Sequence, residues 1–146
     1  ETSAANRAQE ILRTHGYDAI FCERVAHAIE AHRFRSGPTP QTLEAQVLFD
    51  ADKLDAIGAI GVARAFAFGA YRGKKLWGVA PTDYADRSDG VEADPREHTA
   101  VHEFHYKLSK IKDRMFTTTG KQIAAERHAF MVKFYEQLDR EVEGSA

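Results

Sequence analysis

Three carboxylates fall within six residues in the run QVLFDADKLDAIGAIGVARAF, residues 46–66: Asp50, Asp52 and Asp55. Most of the remaining run is apolar. A carboxylate taken out of water must be paired, hydrogen-bonded, protonated or bound to a metal, because an uncompensated buried charge is heavily penalised. Upstream, HAIEAHRF supplies His27 and His32. Neutral imidazole and carboxylate are ordinary ligands of Mn, Fe, Zn and Ni, so a His close to a buried Asp points to a metal or phosphate site. Lys53, Lys107, Lys110, Lys121 and Arg127 are candidate phosphate contacts. Plainer readings stand beside each of these. Asp52 and Asp55 could pair with Arg64 or cap neighbouring helices, a His on an apolar face is commonly a core residue, and a lysine commonly sits on a solvated face.

The elements that must position these groups read as helices. SAANRAQEILRT, residues 3–14, ends at His15-Gly16, where glycine can close the helix. Asp18 caps a second helix running to about Arg33, and RFRSGPTPQT connects it to the next, with Thr39-Pro40 as a possible start. A third helix is expected from about Thr42 to about Ala70. On a single continuous wheel, Leu48, Asp52, Asp55, Ala59 and Val62 share a row, and apolar residues occupy almost every direction. That places Asp52 and Asp55 among core residues. Asp50 lies roughly 160° from Asp52 on the same wheel, so the two cannot face one site. Gly58 and Gly61 would let another helix or a ligand approach closely. In the second helix, His32 lies near the centre of the apolar face and His27 toward its edge.

From Tyr71 to Asp94 the helical period fails, and this long segment, carrying Trp77, could cover a nucleobase. Asp94-Pro95-Arg96-Glu97 has the form of a helix start, with that helix ending near Lys112. Thr119 to Gln122 fits a capping box for the last helix, whose stripe is Ile123, Arg127, Phe130, Phe134 and Leu138. With no run of alternating β-branched residues, the expectation is a single all-α domain over residues 1–146.

The totals agree with a soluble enzyme or binding module. Hydrophobic residues make up 43% and charged residues 29%, and the net charge of -2 gives no pull toward nucleic acid or anionic membrane. One cysteine, Cys22, permits no internal disulfide and suits a reducing cytoplasm. No apolar run has the length of a membrane span. The oligomeric state is left open.

Taken in order, HAIEAHRF, EAQVLFDADKLDAIGAIGVARAF and FHYKLSKIKDRMFTTTGKQIAAERHAFMVKFYEQLDREVEG resemble the HD-domain metal-dependent phosphohydrolases, in particular their small stand-alone bacterial members. The resemblance implies an all-α, HD-domain-like helical bundle. It also implies a divalent metal, Mn2+ or Mg2+ with Fe, Ni or Zn as further options, held by a His, a His-Asp pair and a later Asp. That later Asp maps onto Asp52, with Asp50 supporting it, and His32, His27 and Asp55 fall among the catalytic residues. Lys107 and Arg127, in the matched tail, would bind the substrate, a nucleotide or other small phosphate ester. This sequence contains no His-Asp dipeptide. The resemblance therefore implies that those ligands lie upstream of Glu1, that the chain is a C-terminal portion, and that it is inactive alone. Two alternatives are a degenerate member that binds nucleotide or metal without turnover, and a helical protein-interaction module.

Overall fold

The computed structural model describes residues 2–33, 37–81 and 97–145. Among these residues six α-helices appear in the order α1 (Thr2–Thr14), α2 (Ala19–Ala31), α3 (Leu43–Leu54), α4 (Gly58–Tyr71), α5 (Ala100–Tyr106) and α6 (Thr118–Glu143). A 3-10 segment, Leu108–Arg114, precedes the last of them. The fold is all-α, with no strand among the described residues. The chain divides into two compact units, residues 1–53 with 115–120 and residues 54–114 with 121–146.

Local chemistry sets most helix ends. Gly16, at φ +83°, ends α1 with paired bonds from Gly16 N to Arg13 O and from Tyr17 N to Leu12 O. Asp18 caps α2 by accepting from the Phe21 amide at 2.8 Å. Thr42, not Thr39, caps α3, its hydroxyl accepting from Ala45 N. The expected start at Asp94 to Arg96 lies outside the described residues. Thr99 caps α5, which ends at Tyr106, and the 3-10 segment carries the chain on to Arg114.

The long apolar helix expected from 42 to 70 breaks at Asp55–Ile57. Gly58 opens α4 at φ +77°, a conformation that a side chain resists. Gly58 lies against Arg127, since a Cβ there would come within 2.9 Å of that side chain. Gly61 instead faces its own chain, where a Cβ would sit 2.3 Å from the Ala56 carbonyl oxygen.

The break changes which residues are buried. On α3 the covered set is Ala45, Phe49, Asp50 and Lys53, while Val47 and Leu48 are exposed. Phe49 meets Phe116 edge to face at 5.1 Å, and the Lys53 ammonium lies 5.3 Å from the centre of the Phe49 ring. Asp50 is 3% exposed. Its carboxylate accepts from Phe116 N at 2.9 Å, Thr117 N at 2.8 Å and Thr117 Oγ1 at 2.7 Å. Thr117 in turn accepts from Gly120 N at 2.9 Å, and so caps α6 two residues before the expected position. A Cβ on Gly120 would stand 2.3 Å from Asp50 Oδ2, so only glycine admits the carboxylate. The negative charge at the first turn of this 26-residue helix also opposes the positive end of its dipole.

In the second unit, Ile57, Val62, Val101, Phe104, Ile111 and Met131 are buried. Tyr135, 2% exposed, stacks on Phe104 at 4.4 Å and on Phe66 at 6.4 Å. The inward stripe of α6 is Ala124, Met131 and Tyr135, one position along from the expected one, and Phe130 is 45% exposed.

Asp50→Ala strands two amides and a hydroxyl and should lower stability by about 3–4 kcal/mol, against no more than about 1 kcal/mol for Asp52→Ala at its half-exposed site. Urea titration of the two variants checks the ranking.

Candidate functional site

The structure gives the three acids of the apolar run different work. Asp50 is buried and spent on the start of α6. Asp52 and Asp55, expected to be buried, both face solvent, their side chains 51% and 62% exposed. The reason is the break after Leu54: the wheel that grouped them with Ala59 and Val62 assumed one continuous helix. Asp52 pairs with the Lys53 ammonium, and Asp55 with Arg64, whose Nη1 also donates to the Asp55 carbonyl at 3.0 Å. The plainer reading of Asp55, a pair with Arg64, is what the structure holds.

The two histidines fasten local structure. His27 Nε2 accepts from the Gln41 amide at 2.9 Å, tying α2 to the approach of α3. His32 follows the last turn of α2 and bonds through Nδ1 to the Ile29 carbonyl. Arg127 Nη1 donates to the Leu54 carbonyl, closing the end of α3 while its stem lies on Gly58. Trp77 is pinned to α6, its indole N–H donating to Asp139 at 2.8 Å. The remainder of the expected cover, residues 82–94, lies outside the described residues.

No group of three or more His, Cys, Asp or Glu side chains among the described residues could hold a metal ion. Asp52 with an ammonium already beside it is one anionic ligand and no more. The residues described here therefore do not by themselves fit the divalent metal that the resemblance implies.

A second arrangement was not visible in the sequence. A pocket of about 380 Å³ opens in the second unit between α4, α5 and the turn after α4. Arg64, Lys74 and Lys107 line it, with Ala65, Phe68 and Leu108 as apolar wall. His98 and Glu103 also face it and bond to each other at 2.9 Å, and Lys107 reaches Glu103 at 3.4 Å. Lys107 is thus brought into one pocket with Arg64, the partner of Asp55. Burial alone would raise the Glu103 carboxyl, but the hydrogen bond with His98 and the charges of Lys107 and His98 outweigh it and leave the group below its ordinary value. The Glu103–Lys107 spacing of four residues was the only sequence signal. His98 joins from the loop before α5, at a distance no periodicity reports.

Two buried polar atoms on α6, His128 Nδ1 and Tyr135 Oη, have no hydrogen-bond partner among the described residues. Burial, with the Lys112 charge adding, pushes His128 down, and burial with the Glu103 charge pushes the Tyr135 phenol up.

A family model described as the HD domain matches residues 3–57. The YpgQ protein of Bacillus subtilis (strain 168), itself uncharacterised, is 38% identical over 126 residues, covering 84% of this chain and 53% of that protein. The chain thus spans about half the length of this curated relative. A crystal structure of B. subtilis YpgQ in complex with ADP matches at 33% identity and a TM-score of 0.69, over 94% of this chain and 61% of that one. A crystal structure described as an HD-superfamily hydrolase from Bacillus thuringiensis matches at 29% identity and 0.69, over 95% and 62%.

A carboxylate held below its ordinary value, as Glu103 is, adds stability that is present above that ordinary value and lost as pH falls through the lowered value of the folded state. Glu103→Gln should therefore be less stable than the parent near neutral pH, and the difference should shrink as the pH falls through the lowered value of the folded carboxyl. Denaturation midpoints across that range test this, and parallel curves would contradict it.

Proposed function

Because the chain belongs to the HD-domain superfamily, we propose that this protein is a metal-dependent phosphohydrolase acting on a nucleotide or another small phosphate ester. The observation that carries the reading is the ADP complex of YpgQ, whose fold overlays 94% of this chain. The run that resembles the family's Asp-bearing helix forms α3 and the start of α4. There Asp50 is taken up by the fold, which leaves Asp52 as the acid with chemistry to spare.

On this reading Asp52 is the chain's contribution to the metal, and the described residues supply no complete ligand set. Lys107 is the phosphate contact, because it lines an open pocket and its ion pair with Glu103 is 3.4 Å long. Arg127, His27 and His32 keep the structural bonds described above, and their substitution is expected to act through stability. No single helix among the described residues is long and apolar enough to cross a membrane, as a cytoplasmic enzyme requires.

The absence of a three-residue ligand cluster among the described residues favours one second reading, a member that binds nucleotide without turnover. Phosphate release from nucleotides by the full-length protein, with Mn2+, Mg2+ or neither, separates the two. Hydrolysis that depends on added metal and falls by 100-fold or more in Asp52→Ala, with thermal stability nearly unchanged, is the expected result, since even residues that only support a metal ligand commonly matter by about 10- to 100-fold. Full activity in Asp52→Ala would remove Asp52 from the site. Nucleotide binding with no release under any metal would favour the second reading.

A further inference from the structure

The end of α4 is built to hold a cation above an aromatic ring. The sequence GAYRGKK closes the helix at Gly73, φ +66°, with bonds from Gly73 N to Ala70 O and from Lys74 N to Gly69 O. That turn folds Lys74 back over the last helical turn. Its ammonium lies 5.6 Å from the centre of the Phe68 ring, with the Arg72 guanidinium 5.7 Å from the same ring.

Phe68 is an aromatic that the core does not use, 57% exposed. Lys74 has no carboxylate partner among the described residues. Arg64 is engaged with Asp55 through Nη1 only, so its Nε and Nη2 donors have no recorded partner among those residues. The opposing charge in the pocket, Glu103, is already met by Lys107 and His98. The pocket thus pairs a largely exposed aromatic ring, bordered by the Lys74 and Arg72 cations, with an excess of positive charge, the combination that suits a planar base carrying a phosphate.

We propose that this pocket is the nucleotide-recognition subsite, in which Phe68 stacks on the base and Lys74, Arg64 and Lys107 hold the phosphates. It rests on the nucleotide reading above and adds to it the residues that choose a nucleotide over a bare phosphate. The division of labour is specific. Phe68 offers nothing to an ion without a ring, whereas Lys74 acts on any phosphate.

Calorimetric titration of the full-length protein with ADP and with inorganic pyrophosphate tests it, since both substituted residues are surface groups whose loss leaves the core intact. Phe68→Ala should weaken ADP binding on the order of tenfold, the usual worth of one stacked base, and leave pyrophosphate unchanged. Lys74→Ala should weaken both. Unchanged ADP affinity in both variants, or no ADP binding to the parent, would overturn the subsite. Equal weakening of both ligands in Phe68→Ala would overturn the stacking role. If the variants behave as expected while the parent hydrolyses nothing, the subsite stands and the phosphohydrolase reading fails.

Discussion

The first unit depends on one buried carboxylate. Asp50 reaches from α3 to the segment 116–117 and accepts three hydrogen bonds there. Those bonds orient Thr117, Thr117 caps α6 through Gly120, and Gly120 lacks the side chain that would displace Asp50. Each member is necessary to the next, so the start of a 26-residue helix is set by Asp50, which lies 66 and 67 positions before the two amides it holds. A buried acid with three donors is compensated in a way that a lone buried acid is not.

That use of Asp50 decides what the other acids can do. A helix surrounded on one side offers only a limited buried arc, and on α3 that arc holds Ala45, Phe49, Asp50 and Lys53. Asp52 is therefore turned outward, with the neighbouring Lys53 as its ion pair. Asp55 lies beyond the helix end, where the chain turns toward Gly58, and Arg64 holds both its carboxylate and its carbonyl. Three acids in one apolar run thus have three fates: a structural anchor, a half-exposed partner of Lys53, and the fastening of a helix junction. The junction itself is closed from the other side by Arg127 on the Leu54 carbonyl.

Helix ends that depend on neighbours in sequence were legible. Gly16 and Asp18 act where their types and spacing place them, because a cap or a left-handed turn involves only a few consecutive residues. The all-α architecture followed from periodicity for the same reason. The exchange of roles between Asp50 and Asp52 was not legible: a helix with apolar residues in nearly every direction has no unique inward face, and the break at Asp55–Ile57 resets the phase. Thr117 was missed as the cap of α6 because its selection comes from Asp50, a distant partner. The pocket at Phe68 and Lys74 was hidden for a similar reason. GAYRGKK announces a helix end, but only the folded turn shows that the lysine lands on an exposed ring.

Hydrogen exchange at the amides of Phe116 and Thr117 tests the central claim most directly, that Asp50 and not Asp52 anchors the fold. The account predicts that both amides exchange as slowly as the slowest core amides of the first unit, that Asp52→Asn leaves them protected, and that Asp50→Asn releases them. Fast exchange of both amides in the parent, or protection that survives Asp50→Asn, would contradict it.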